Sequence, residues 1–212
     1  AAGRPARMYE VELKLRADHD AVRAALADAG GTLDRQVRQV DTYYDAPHRA
    51  FAETDEALRL REERRERVGE SDATDAVDEA DATDAANATD AETTTRLTYK
   101  GPLVEAESKT RKEHETAVAD GDAAAGILAG LGFEPAAVVE KDRTFFGLDG
   151  YTVSLDRVDG LGEFVEVEAE AADEGDVADV REGAADVLRS LGLDPDDQVR
   201  TSYLGLLLDA EE

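Results

Sequence analysis

Tyr9-Glu10-Val11-Glu12-Leu13-Lys14 decides the fold of this chain. In an extended strand, successive side chains point to opposite faces. Glu10, Glu12 and Lys14 therefore share one face, while Tyr9, Val11, Leu13 and Leu15 share the other. The second face is core. The first has two readings. A half-buried strand with a solvated, charged face is the ordinary outcome of such alternation. Alternatively the charged face lines a cavity, where two carboxylates hold a hard divalent cation and the lysine meets an anion beside it. Recurrence of the pattern along the chain separates the two.

Asp18 to Gly30 predicts a helix, with Val22, Ala25, Leu26 and Ala29 as its apolar stripe and Gly30-Gly31 as its stop. Strands are predicted at Val37–Ala46, ended by Pro47, and at Ala57–Glu63. From about residue 66 to 94 the chain is dominated by Asp, Glu, Ala and Thr in repeated Asp-Ala and Ala-Thr-Asp units. Such a segment buries too little apolar area to offset its ordering entropy. It reads as a disordered acidic insertion between two strands of one domain. Further strands follow at Thr95–Lys100, ended by Gly101-Pro102, and at Lys109–Ala117, Val138–Phe146, Tyr151–Arg157 and Glu163–Glu170. Helices are predicted at Gly121–Leu131, Asp176–Leu191 and Val199–Leu208. Eight or so strands with mostly short links favour antiparallel pairing and can close into a barrel. The predicted class is α+β, an eight-stranded antiparallel β-barrel with helices packed outside. Met8 marks the expected natural start, which makes residues 1–7 an N-terminal extension and 8–212 a single domain.

Composition excludes several function classes. The 212 residues carry a net charge of −27 and a pI of about 4.3, which argues against nonspecific binding to nucleic acid or an anionic membrane. Cysteine is absent and there are three scattered histidines, so disulfides, thiolate metal sites and a zinc site are not expected. No apolar run has membrane-spanning length, and Ala1 to Arg7 is too short and polar for a signal peptide, so the expectation is a cytoplasmic protein. Abundant Asp and Ala, with Arg outnumbering Lys, look like the composition of a protein from a salt-loving organism. Most of the acid then serves hydration, and the five lysines, all in or beside predicted strands, are more informative.

Most strands carry charges at two-residue spacing. The basic set is Lys14, Arg59, Arg61, Lys100, Arg111, Lys141 and Arg143; the acidic set is Glu10, Glu12, Glu113, Glu115, Asp156, Glu166 and Glu168. The apolar faces must pack against the helices, which leaves the charged faces inside the barrel. A lumen of Lys and Arg needs a polyanion. A lumen that also holds carboxylates needs divalent cations. A metal-bound polyphosphate meets both demands.

The Glu-x-Glu-x-Lys of Glu10, Glu12 and Lys14 resembles the signature of the CYTH proteins, the triphosphate tunnel metalloenzymes. The resemblance continues in order through Asp41-Thr42-Tyr43-Tyr44-Asp45, Leu58-Arg59-Leu60-Arg61, Thr98-Tyr99-Lys100-Gly101-Pro102, Arg111-Lys112-Glu113 and Glu140-Lys141-Asp142-Arg143. Leu155-Asp156-Arg157, Gly162 to Glu168 and Ser202-Tyr203-Leu204 complete it. It implies an eight-stranded tunnel that binds triphosphates with Mg²⁺ or Mn²⁺. Glu10, Glu12, Asp156, Glu166 and Glu168 would be metal ligands, and Glu10, Glu12 and Lys14 the catalytic centre. Lys14, Arg59, Arg61, Lys100, Arg111, Lys141 and Arg143 would grip phosphates. Glu113 is a further ligand or orients a base, and for Glu113 and Glu115 a salt bridge across the barrel is an equal reading. Glu170, Lys109 and Lys112 read as surface, and Tyr43 and Tyr44 as core.

The implied chemistry is either class IV adenylyl cyclase-like (ATP to cyclic AMP and pyrophosphate) or hydrolysis of the terminal phosphate by a triphosphatase. Both are in-line displacements at phosphorus. The opening and closing motifs resemble the cyclase branch, which makes ATP the first expected substrate and inorganic triphosphate the second. A sensor that binds nucleotide or polyphosphate without turnover needs fewer carboxylates than this chain has. An interaction protein that recruits a basic partner through the acidic insertion is the remaining alternative. Oligomeric state has no signature beyond the general prevalence of two-fold homodimers.

Overall fold

The computed structural model describes residues 9–66, 93–103 and 110–211. The expected N-terminal extension, Lys109 and most of the acidic insertion lie outside them. The eight strands are β1 (Tyr9–Arg16), β2 (Thr32–Asp45), β3 (Ala57–Glu66), β4 (Thr93–Leu103), β5 (Arg111–Val118), β6 (Glu134–Leu148), β7 (Tyr151–Val158) and β8 (Gly162–Ala171). They close into a barrel of order β1-β5-β4-β3-β2-β6-β7-β8, antiparallel throughout. The helices are α1 (His19–Asp28), α2 (Gly121–Gly130), α3 (Val177–Ser190) and α4 (Tyr203–Glu211). The eight-stranded barrel with outside helices is the architecture that the alternation predicts.

Local chemistry sets the ends. Asp18 caps α1 by accepting a hydrogen bond from the Ala21 amide at 2.9 Å, and Asp120 caps α2 in the same way from Ala123. Asp149 and Gly150 both have positive φ, the two-residue turn that closes a tight hairpin between β6 and β7.

Several boundaries differ from the sequence reading. β2 and β6 begin earlier, at Thr32 and Glu134, because each other's ladder extends them beyond their apolar alternation. β3 and β4 run to Glu66 and from Thr93, so the flanks of the acidic stretch are strand. Gly101-Pro102 does not end β4: a register shift between Lys100 and Leu103 takes up the proline, which cannot donate to the ladder. Residues 199–202 are not helical; the Val199 amide instead bonds the Lys14 carbonyl at 2.6 Å.

The outward faces form the core. Leu13, Leu15, Val153, Leu155, Val165 and Val167 pack under Val22 and Leu26 of α1 and Ala184, Val187 and Leu188 of α3. Each buried Leu or Val side chain there contributes about 1.5–3 kcal/mol relative to exposure. Tyr44, Leu58 and Leu60 pack under Leu128 of α2. With the apolar faces covered, the inward faces are left polar. At one end of the lumen the inward residues turn apolar: Val139, Val158 and Phe164 form a collar on which Tyr203, Leu204, Leu206 and Leu207 of α4 rest. Among the described residues, no helix is long and apolar enough to cross a membrane.

Candidate functional site

Alternation directs every second side chain of each strand into the lumen, which encloses about 1580 Å³. All seven basic residues singled out in the sequence line this one space. They come from five strands: Lys14 on β1, Arg59 and Arg61 on β3, Lys100 on β4, Arg111 on β5, and Lys141 and Arg143 on β6. Lys14 donates to the Thr201 carbonyl at 2.8 Å and lies 4.3 Å from the Tyr203 ring centre. Lys141 lies 4.9 Å from the same ring. Burial, helped by Arg143 and opposed by Asp156 and Glu166, lowers Lys141 to about 8. Arg111 reaches the lumen but also donates to the Asp55 carbonyl at 2.9 Å.

The acids divide into three groups. Glu10, Glu113 and Lys100 form a knot: the Lys100 ammonium is 2.8 Å from Glu10 and 2.7 Å from Glu113. Burial opposes ionisation of Glu10, but Lys100 and a hydrogen bond from Glu113 outweigh it and hold Glu10 well below the usual carboxylate range. Burial and the bond to Glu10 push Glu113 up to about 7. Glu115 receives Arg96 at 2.7 Å and Thr98 at 3.0 Å, a cross-strand salt bridge.

Asp156 and Glu166 form the second group, paired with Lys141 and Arg143. Asp156 is fully buried and does not line the lumen. It accepts from Arg143 Nε at 2.5 Å, from Arg143 Nη2, and from Lys141 at 3.1 Å. Arg143 Nη2 also donates to Glu166. The Asp156 oxygens are already held by charged donors.

Glu12 and Glu168 form the third group. They stand directly opposite each other in the β1–β8 ladder. Like charges facing in this way destabilise a sheet. Burial and the carboxylates of Glu10, Glu166 and Glu12 outweigh Arg143 and push Glu168 up to about 7. This crowding fits a divalent cation. Among the described residues no three His, Cys, Asp or Glu side chains converge on one point. Mg²⁺ is commonly held by one or two carboxylates plus substrate phosphates, which is the demand that Glu12 and Glu168, with Glu10 beside them, are able to meet.

Three features of the barrel interior escaped the sequence reading. Asp41 on β2 is buried and accepts Arg61 Nε and Nη2, both at 2.6 Å. It lies in the quoted Asp-Thr-Tyr-Tyr-Asp stretch, and its alternation with Tyr43 was the available signal. Tyr43 packs against the Val139, Val158, Phe164 and Tyr203 cluster and also lines the lumen, while Tyr44 on the opposite face packs under α2. Tyr203 enters the lumen from α4, where its place in the closing motif gave no indication of direction. Glu170 and Lys112 are exposed, as expected.

The sequence model of the CYTH domain matches residues 8–203. A Methanocaldococcus jannaschii protein named as a candidate adenylate cyclase is 30% identical over 200 residues, covering 94% of this chain and 98% of its own. A Pyrococcus horikoshii protein of known structure is 32% identical, with a TM-score of 0.78 over 95% of this chain and 99% of its own. A Hippeastrum protein, described as a candidate adenylyl cyclase with a dominant triphosphatase activity, shares the fold at 16% identity and a TM-score of 0.59, covering 96% of each chain.

Proposed function

The chain belongs to the CYTH family, and on that premise we propose that it is a metal-dependent enzyme that acts on a triphosphate inside its tunnel, with adenylyl cyclase chemistry as the first reading. The observation that carries the proposal is the convergence of seven cations from five strands on one lumen that also presents the opposed carboxylates Glu12 and Glu168. Arg59, Arg61, Lys141 and Arg143 on one wall, with Lys14 and Lys100, neutralise the phosphate chain and hold it for in-line displacement. Glu10, Glu12 and Glu168 would hold Mg²⁺ or Mn²⁺. Such an ion, when bound, clamps phosphate oxygens and lowers the pKa of the attacking hydroxyl. The apolar collar and α4 exclude water from one end of the lumen.

The cyclase reading is supported by the name of the Methanocaldococcus relative. A triphosphatase is the second reading, favoured by the activity attributed to the Hippeastrum protein of the same fold. In the first the 3′-hydroxyl of ATP attacks the α-phosphate; in the second water attacks the terminal phosphate. The test is incubation with Mn²⁺ or Mg²⁺ and either ATP or inorganic triphosphate, with Glu12→Gln as control. Cyclic AMP and pyrophosphate, lost in the variant, identify the cyclase. Orthophosphate without cyclic AMP identifies the triphosphatase. Metal-dependent binding without turnover identifies a sensor, and neither binding nor turnover refutes the tunnel reading.

A further inference from the structure

The lumen wall repeats one arrangement of side chains. On β3, Arg59 and Arg61 stand two residues apart; Asp41 of the neighbouring β2 lies directly opposite Arg61, with Tyr43 opposite Arg59. On β6, Lys141 and Arg143 stand two residues apart; Asp156 of the neighbouring β7 lies directly opposite Arg143, with Val158 opposite Lys141. In each case the aspartate faces the second cation of the pair and reaches the first on the diagonal. The correspondence extends to atoms. Asp41 Oδ1 accepts Arg61 Nε at 2.6 Å and Oδ2 accepts Arg61 Nη2, with Arg59 Nη1 at 3.5 Å from that same Oδ2. Asp156 Oδ1 accepts Arg143 Nε at 2.5 Å and Oδ2 accepts Arg143 Nη2, with Lys141 Nζ at 3.1 Å from that same Oδ2. The four strands are contiguous in the order β3-β2-β6-β7, so the two units sit side by side.

This geometry fixes which edge of each arginine is used. A fork bond through Nε and Nη2 locks the guanidinium plane and leaves Nη1 for another acceptor. Among the described residues, neither Arg61 nor Arg143 makes a hydrogen bond through Nη1. Both aspartates are buried and neither lines the lumen, whereas all four cations do. We propose that Asp41 and Asp156 are matched positioning residues, each aiming two cations at the bound triphosphate, and that Asp156 does not ligate the metal. The proposal rests on the triphosphate reading above. Both carboxylates stay ionised: burial opposes charge, but Arg59 and Arg61 at Asp41, and Arg143 and Lys141 at Asp156, outweigh it.

The experiment measures Mn²⁺ alone, and inorganic triphosphate with Mn²⁺, by titration calorimetry. Asp41→Asn and Asp156→Asn should each weaken triphosphate about tenfold or more, the usual effect of losing a charge-assisted contact, and leave Mn²⁺ affinity at the wild-type level. Glu12→Gln should lose Mn²⁺. Because Asp41 acts through Arg61, Asp41→Asn should add little in an Arg61→Lys background, and likewise Asp156→Asn in Arg143→Lys. Where an aspartate variant does not fold, Arg61→Lys and Arg143→Lys decide alone, since they keep the charge and lose the fork: weakened triphosphate binding supports the proposal and unchanged binding overturns it. Loss of Mn²⁺ by Asp156→Asn would make it a metal ligand and overturn the proposal. Wild-type triphosphate affinity in the aspartate variants, or full additivity in the double variants, overturns it also. Wild-type protein that binds neither Mn²⁺ nor triphosphate overturns the tunnel reading and this proposal together, a result distinct from the others.

Discussion

Glu168→Gln should stabilise the metal-free protein at mildly alkaline pH while weakening its hold on a divalent cation. Glu168 faces Glu12 across the β1–β8 ladder. Burial, with the carboxylates of Glu10, Glu166 and Glu12, outweighs Arg143 and moves its carboxyl from the usual 4.5 to about 7. A carboxyl raised in the fold favours its protonated form. Its stabilising contribution is complete below 4.5 and is lost as pH rises through about 7. At about 1.36 kcal/mol per pH unit the displacement corresponds to roughly 3 kcal/mol. Glu168 faces the open lumen, where water screens the repulsion and leaves about 2 kcal/mol. The assay is urea unfolding in chelator at constant ionic strength, compared at about pH 4.5 and about pH 8. The variant should gain about 2 kcal/mol at the higher pH and almost nothing at the lower. Equal stability of variant and wild type at the higher pH would refute the crowding argument and, with it, the reason for a cation at this pair.

The remaining predictions concern the frame of the site. Asp41 is held below the usual carboxylate range, so its contribution is complete above its ordinary value of 3.8 and lost as pH falls below it; Asp41→Asn should cost about 3 kcal/mol at neutral pH and nothing in strong acid, read from urea midpoints against pH. Tyr203→Ala should uncover Val139, Val158 and Phe164, lower stability by about 3–5 kcal/mol, and speed amide exchange in α4. Arg64 and Thr93 are ladder partners, so an Asn-Gly turn replacing residues 65–92 should preserve register and turnover; lost activity in a folded variant would favour the partner-recruiting reading of the acidic stretch.

Much of the barrel was legible because its strands obey a period of two on both faces. The apolar residues of β1, β7 and β8 alternate and those of α1 and α3 recur at helical spacing, as a two-layer core requires, and the structure joins them in one cluster. Strand ends were less legible for a physical reason. The early starts of β2 and β6 depend on each other's backbone ladder, which carries no side-chain signature. Pro102 punctuates the sequence as a strand end, yet the shift between Lys100 and Leu103 absorbs it.

Within the site, the cations were legible and their partners were not. Leu58-Arg59-Leu60-Arg61 announces an inward basic pair by alternation alone. The acid that orients the pair lies on another strand, 20 residues away at Asp41, and its counterpart at Asp156 is 13 residues from Arg143. Which acid faces which cation is fixed by register, and register follows from turn lengths and pleat, neither of which is written at the residue concerned. The same limit explains why Asp156 and Glu168 look alike in sequence. Both are acids on the inward face of neighbouring strands. Asp156 falls opposite Arg143, whereas Glu168 falls opposite Glu12. One is therefore neutralised by the protein itself, and the other needs a cation from outside. Cross-strand register thus divides the carboxylates between positioning the phosphate grip and holding metal, and exchanging the partners tests that division directly. Glu12→Lys would give Glu168 a protein cation and should abolish Mn²⁺ binding while keeping the fold, as read by calorimetry and thermal melting. Retained Mn²⁺ affinity in that variant would show that the ion sits elsewhere in the lumen.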